Sequence, residues 1–419
     1  MRVGRILALI SPGLLVAATG VGAGDLATAA FTAGRLGVAV LWAVLLGAFL
    51  KYLMTEGLAR WQLATGETLL EGALRRLGRP VVYAFGLYFF LWSFFVGSAL
   101  MSACGVAVHA IVPVFPDPAT GKVVFGVASS LLGLALVLAG GFPLFEKVMS
   151  LCIGVMFVTV LVTAVLVCED WGAVARGMLV PRIPEAGGEG LGWTVALIGG
   201  VGGTLTLLCY GYWIREKGRS GAGDLTVCRV DLAAGYVMTA VFGLAMVIIG
   251  STIVVEGRGA GLVVSLADAL TKPLGAAGRW VFLIGAFGAF FSSLLGVWQA
   301  VPYIFADYWR FVRRRHPDDE TAFPPVDTRG LPYRAYLLVL AVVPMLGLLF
   351  SFREVQKVYA VFGALFVPLL AVTLLLLNGR ADWVGRKLRN GPLTTLLLAA
   401  TVALFLFFGY LQARGSLGV

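Results

Sequence analysis

The chain has 419 residues, of which 59% are hydrophobic and only 13% are charged. A soluble domain carries about 25% charged residues, so this composition excludes a soluble protein and predicts a polytopic membrane protein. The net charge of +10 does not indicate a nucleic-acid partner, because the basic residues fall in predicted loops, where they report membrane orientation. The five cysteines are scattered without a C-x-x-C pair, so neither a disulfide framework nor a thiolate metal cluster is predicted.

Apolar runs of about 20 residues predict eleven membrane-spanning helices in a single transmembrane domain covering 1–419. The basic residues favour alternate loops, which predicts a cytoplasmic N-terminus and, with an odd number of spans, an external C-terminus in a cell (inner) membrane. The predicted spans are 6–34, 37–59, 81–112, 123–140, 148–167, 191–213, 232–255, 279–303, 332–351, 356–377 and 392–412.

Two glycine-rich segments interrupt these apolar runs at matching depths of the first and sixth spans. They are Gly20–Asp25 (GVGAGD) and Gly199–Thr204 (GGVGGT). A bilayer tolerates unwound backbone only where it is buried in protein or lines an aqueous cavity, and paired interruptions indicate the central site of a secondary transporter. The predicted partners are therefore the lipid bilayer and a small inorganic ion. The candidate substrate-binding residues are Gly22, Ala23, Gly24, Asp25, Gly202, Gly203, Thr204, Thr206 and Tyr210.

Three segments of the chain match the pattern of one known family: Ser11–Thr28 (SPGLLVA…GDLAT), Leu58–Leu69 and Val367–Arg380. They resemble, in that order, the opening of the first helix, the second helix with its following loop, and the tenth helix of the Nramp family of metal-ion transporters. The resemblance implies a LeuT-type fold of five spans plus five inverted, with helices one and six broken at the site. The implied repeats cover approximately 6–167 and 191–377, and 392–412 is an additional helix.

The chain departs from the family pattern at the site itself. Where the family carries Asp-Pro-Gly-Asn, whose Asp and Asn ligate the metal, this chain has Gly22-Ala23-Gly24-Asp25. Where the sixth helix of the family carries Met-Pro-His, the aligned residues are Thr206-Leu207-Leu208. The third span contains no Asp or Glu, although the family usually has acidic residues there for proton movement.

These departures leave two substrate classes open. A single carboxylate neutralises a dry transition-metal ion poorly, whereas the amides of a broken helix attract anions and glycine lets an anion approach them. The hydroxyls of Thr204, Thr206 and Tyr210 would add donors. The first prediction is therefore a small anion such as bicarbonate, to which some divergent branches of the family are thought to have switched. The alternative is Mn²⁺ or hydrated Mg²⁺ with Asp25 as the metal ligand.

Asp25 itself has three possible roles. It either caps the half-helix Leu26–Gly34, ligates a coupling cation, or accepts a proton. No cofactor is predicted beyond such a coupling cation, Na⁺ or H⁺. The chain is not predicted to be an enzyme, because it contains neither a G-x-x-x-x-G-K loop nor an H-E-x-x-H motif. A channel and an amino-acid carrier of the same architecture are further hypotheses, which saturation of flux and competition by amino acids would distinguish.

Overall fold

The computed structural model describes residues 11–186, 189–252, 261–313 and 326–416. Residues 6–10 of the first predicted span and 253–255 of the seventh lie outside this part of the chain. Within it, every regular element is a helix, and the α-helices are α1 (Ser11–Gly20), α2 (Ala29–Leu36), α3 (Leu41–Thr65), α4 (Leu69–Arg76), α5 (Arg79–Ile111), α6 (Pro118–Val167), α7 (Trp171–Leu179), α8 (Glu189–Gly200), α9 (Cys209–Glu216), α10 (Leu225–Gly250), α11 (Leu262–Arg313), α12 (Leu331–Val342), α13 (Phe352–Asn378), α14 (Ala381–Leu388) and α15 (Pro392–Ser416).

Ten helical stretches of the described chain are long and apolar enough to cross a membrane. The first, Asp25–Thr65, has 41 residues, about twice what one span needs. The chain turns within it at Gly37, whose φ of +66° favours glycine. This stretch therefore holds the end of the first predicted span and all of the second, in agreement with eleven spans. The predicted all-α polytopic fold is confirmed.

Two helices extend beyond their predicted limits. The helical backbone of α6 continues without a loop between the fourth and fifth predicted spans, which correspond to the apolar stretches Pro118–Ala139 and Lys147–Val167. The eighth span continues to Arg313, ten residues past its predicted end at 303. Its last turns contain charged residues, which marked them as a loop in the sequence. One of these, Asp307, is instead buried against the hydroxyl of Tyr212.

Close packing of α1 on α10 fixes the start of the first span. The Gly13 amide donates a hydrogen bond to Asp231 Oδ1 over 2.7 Å. A Cβ atom at Gly235 would lie 2.4 Å from the Gly13 carbonyl oxygen, so the two backbones approach as closely as only small residues allow. Helix α8 packs on the other side against α3 and α13. These contacts bring the interruptions of the first and sixth spans together.

Candidate transport site

The two interruptions have different backbone structures. In the first span, Val21–Thr28 forms a π-helical stretch between α1 and α2, a wider helix whose backbone hydrogen bonds run from i to i+5. The side chains of 21–24 lie outside the described part of the structure, so the predicted site residues Gly22, Ala23 and Gly24 are placed only by their backbone. The predicted break of the first span is thus a change of helix type.

In the sixth span the helix opens completely. Helix α8 ends at Gly200, and Gly202 and Gly203 then adopt φ angles of +75° and +88°, a region that residues with a Cβ rarely occupy. Thr204 is also non-helical, and a 3₁₀ turn, Leu205–Leu208, leads into α9. Carbonyl groups at the end of α8 and the amides that follow it therefore lack helical partners.

The two interruptions are in direct contact. A Cβ atom at Gly20 would lie 2.7 Å from the Gly203 nitrogen and 2.8 Å from the Gly202 carbonyl carbon. A Cβ atom at Gly203 would in turn lie 2.8 Å from Thr206 Oγ1. At Gly20 a side chain would separate the two backbones, whereas Gly202 and Gly203 need to be glycine because of their positive φ angles.

Asp25 connects the first span to the open segment of the sixth. Its carboxylate is fully buried, and the Gly202 amide donates a hydrogen bond to Oδ1 over 3.0 Å. Oδ2 has no hydrogen-bond partner among the described residues. The hypothesis that Asp25 caps the following half-helix is wrong, because the π-helical stretch continues through it. The N-cap position of α2 falls instead on Thr28, which makes no side-chain cap.

Lys51 lies at the middle of α3, and its side chain is fully buried. Its ammonium donates hydrogen bonds to the carbonyl oxygens of Gly199, at 2.8 Å, and Val201, at 3.1 Å. These carbonyls carry the partial negative charge of the C-terminal end of α8. The ammonium also interacts electrostatically with Asp25, so the site contains one buried acidic and one buried basic side chain.

Aromatic side chains from three other helices surround the open segment. The Trp92 indole donates a hydrogen bond to Thr204 Oγ1 over 2.8 Å, and the Tyr359 hydroxyl is also hydrogen-bonded to Thr204. The Tyr236 ring lies 3.1 Å from the Cβ position of Gly202. Thr206 Oγ1 accepts a hydrogen bond from the Thr204 amide at 3.3 Å. Both threonine hydroxyls therefore already serve the protein's own structure as acceptors.

Tyr210 does not join this site. Its hydroxyl donates a hydrogen bond to Asp231 Oδ2 over 3.0 Å, and Arg219 donates to the same oxygen over 2.7 Å. The reason is that the helix has already resumed at Cys209, which turns Tyr210 towards α10. Arg229, two residues before Asp231 on α10, contacts Glu56 at 2.8 Å.

Sequence reasoning missed three members of the site: Lys51, Trp92 and Tyr359. Lys51 carried a signal, because an ionisable residue in the middle of an apolar span is a functional candidate. The two aromatic residues carried none, since aromatic side chains are abundant in every span. No cluster of three or more His, Cys, Asp or Glu side chains that could hold a metal occurs in the described ranges. A metal here would depend on Asp25, backbone carbonyls and water.

An open sixth helix with a buried carboxylate at its centre, in an all-helical membrane protein, defines a secondary transporter of the LeuT fold. Solved structures support the fold. The manganese transporter of Eremococcus coleocola matches with a TM-score of 0.70 and 18% identity, over 96% of this chain and 85% of that one. MhsT, solved with L-phenylalanine, matches with a TM-score of 0.62 and 16% identity over 97% of both chains. Mhp1, of the nucleobase-cation-symport-1 family, matches with 0.60 and 12% over 97% and 95%.

The family follows from the sequence comparisons. The family model described as natural resistance-associated macrophage protein-like matches residues 13–412, so the chain belongs to the Nramp family. An uncharacterised protein of Pasteurella multocida is 24% identical over 300 residues, which is 69% of this chain and 68% of that protein. The divalent metal cation transporter MntH of Verminephrobacter eiseniae is 26% identical over 181 residues, 43% of this chain and 40% of that protein.

Proposed function

We propose that this chain carries a divalent metal ion, Mn²⁺ or hydrated Mg²⁺, across the membrane by alternating access. The observation that carries the proposal is the Asp25 carboxylate, which is fully buried where the first interruption contacts the sixth span and has no described hydrogen-bond partner for Oδ2. Two relatives are named as a divalent metal cation transporter and a manganese transporter. The first prediction from the sequence was a small anion, but membership of the Nramp family favours the alternative, a divalent metal ion.

The proposed ligands are Asp25 Oδ2, the carbonyl oxygens of Gly199 and Val201, and water molecules. Oxygen ligands with one or two carboxylates and several retained waters suit Mg²⁺, and carboxylate, carbonyl and water also suit Mn²⁺. One carboxylate leaves a divalent ion with a net positive charge, so the ion keeps part of its hydration shell. The site is therefore proposed to lack the soft sulfur ligand that discriminates against Mg²⁺ in the family pattern.

Ion pairs hold both ends of the interrupted helices, which suits alternating access. At the predicted external end, Arg35 of α2 and Lys357 of α13 both bind Glu189 at the start of α8. At the predicted cytoplasmic end, Asp231 binds the Gly13 amide and Arg219. We propose that each set of contacts opens in turn, with the substrate held between them.

Bicarbonate is a second candidate because of Lys51, whose ammonium balances the charge of Asp25 and offers an anion a counter-charge. Two features of the structure weigh against it. The Gly202 amide, a predicted anion donor, already donates to Asp25. The π-helical stretch of the first span also has helical backbone geometry, so it offers fewer free amides than the unwound segment on which the anion prediction depended.

The test is uptake of Mn²⁺, Mg²⁺ and radiolabelled bicarbonate into proteoliposomes containing the purified chain, with Asp25→Asn beside wild type. We expect saturable metal uptake that falls roughly 10–100-fold in Asp25→Asn, the effect of losing a charged ligand group. Asp268→Asn, which alters an exposed ion pair with Arg279, is the matched control and should behave as wild type. Saturable bicarbonate uptake without metal influx would replace the metal proposal with the anion.

A further inference from the structure

Lys51 is one of two lysines in the described structure that are buried. An ammonium buried in this way is costly unless it is paired and hydrogen-bonded. Lys51 meets that condition entirely within the transport site, through the carbonyls of Gly199 and Val201 and the nearby carboxylate of Asp25.

The partners of the ammonium are those that a metal cation would use. Carbonyl oxygens at the end of an interrupted half-helix coordinate cations in transporters of this architecture. In this chain the corresponding carbonyl oxygens, of Gly199 and Val201, accept hydrogen bonds from Lys51 Nζ over 2.8 and 3.1 Å. An inorganic cation and the Lys51 ammonium therefore compete for one set of ligands.

Electrostatic repulsion between a metal ion and the Lys51 ammonium adds to their competition for the same carbonyl ligands. Asp25 and Lys51 together are neutral, so a divalent ion entering beside a resident ammonium would leave the pocket with two uncompensated charges. The other groups that face this pair are neutral: the hydroxyls of Thr55 and Tyr236, which bind each other at 2.7 Å. Among the described carboxylates, Asp25 is the one that interacts electrostatically with the Lys51 ammonium, since Glu56 of α3 and Asp231 of α10 are paired with arginines.

We propose that the Lys51 ammonium is a tethered cation that occupies the carbonyl ligands of the transport site when no substrate is bound, and that an entering metal ion must displace it. Lys51 thereby determines specificity: it weakens metal binding and favours a cation whose two charges outcompete a single one. The inference rests on the proposed function, because it takes the carbonyls of Gly199 and Val201 as metal ligands.

The experiment measures Mn²⁺ binding to the purified chain by isothermal titration calorimetry for wild type, Lys51→Met and Lys51→Leu. Both substitutions remove the charge, and Lys51→Leu shows whether the Met thioether has acted as a new metal ligand. We expect Lys51→Met to bind Mn²⁺ about tenfold more tightly or better, as removal of a unit charge at contact distance predicts. Lys51→Arg, which keeps the charge, should bind no more tightly than wild type.

Lys122→Met is the matched control. Lys122 is also a buried lysine, at 4% exposure, and it also donates to a backbone carbonyl, that of Phe350 at 2.5 Å, but on α6. Its replacement should leave Mn²⁺ affinity unchanged. If Lys51→Met does not give folded protein, Lys51→Gln takes its place, because an amide still donates to the carbonyls without a charge.

The outcomes separate this inference from the proposed function. Metal uptake by wild type with unchanged or weaker binding in folded Lys51→Met overturns the inference and leaves the function standing. A wild type that neither binds nor carries metal, with binding that appears in Lys51→Met and disappears in Lys51→Met/Asp25→Asn, supports the tethered cation and rejects the function. Loss of bicarbonate uptake in Lys51→Met without any gain in metal affinity overturns the inference and favours the anion.

Discussion

The interruption of the first span and that of the sixth perform different tasks at the same depth. The first remains helical through Val21–Thr28 and contributes a side chain, Asp25, to the site. The sixth span leaves the helix at Gly202 and Gly203 and contributes backbone groups to the site. These are the carbonyls that bind Lys51 and the Gly202 amide that donates a hydrogen bond to Asp25. Each interruption thus supplies the groups that the other lacks.

The difference shows how a helix interruption is stabilised in a membrane. A π-helical stretch changes the hydrogen-bond pattern, whereas an open segment must find partners elsewhere, since each unpaired backbone group costs several kcal/mol in a bilayer. The backbone of the sixth span obtains these partners from Lys51 of α3 and from Asp25 of the first span. Aromatic side chains of α5 and α13 bind the Thr204 hydroxyl beside it. The polar residues around Thr204 are therefore structural supports as well as candidates for substrate contact.

The largest effect is expected from Gly20→Ala, which pushes the two interruptions apart. The new methyl group would meet the Gly203 nitrogen at 2.7 Å, and the contact is backbone on both sides, so neither can rotate away. We expect metal uptake to fall by about tenfold or more, together with a lower melting temperature, since overpacking costs roughly 1–3 kcal/mol. Uptake assays and thermal unfolding of the purified chain measure both.

Gly154→Ala is the control for Gly20→Ala, because a Cβ atom at Gly154 has no heavy atom within 4 Å and lies within helix α6. Alanine is the better helix former by about 1 kcal/mol, so this variant should keep its activity and its stability. Wild-type uptake by Gly20→Ala would show that the contact between the two interruptions is not required for transport.

A smaller effect is expected from Trp92→Phe, which tests whether the open segment depends on partners from α5. The substitution removes the indole donor to Thr204 Oγ1 and keeps an aromatic ring. Loss of one neutral hydrogen bond corresponds to about 0.5–1.5 kcal/mol, so we expect the apparent substrate affinity to weaken about 2–10-fold. Trp280→Phe, at a half-exposed position of α11, is the control. Equal kinetics for both variants would show that the Trp92 hydrogen bond does not contribute to substrate affinity.

The smallest expected effect is proton influx during metal uptake. Helix α5 contains no Asp or Glu, and α8 and α9 contain no His, so the residues that carry protons in the family pattern are missing on either side of the site. We expect proton influx, followed with a pH-sensitive dye in proteoliposomes, to stay at the background leak while metal uptake proceeds. A fixed ratio of protons to metal ions would contradict this and would point to Asp25 as the proton carrier.

The sequence predicts much of the fold because long apolar runs and glycine clusters are local signals. They locate the spans and both interruptions, and they place Asp25, Gly202 and Gly203 at those interruptions. The partners of these residues are not local: Asp25 and Gly202 are 177 positions apart, and Lys51 and Gly199 are 148 apart. Tyr210 was misplaced for a related reason, since the position at which α9 resumes its helix decides which way the ring points.

The close approach of Gly20 to Gly202 and Gly203 has a mechanical consequence. With no side chain at Gly20, the backbone at the end of α1 lies directly against the open segment of the sixth span at Gly202 and Gly203. A tilt of α1 would press on Gly202, whose amide donates the hydrogen bond to Asp25. In the proposed transport cycle, a reorientation of α1 would therefore loosen the hold on the Asp25 carboxylate in the same movement.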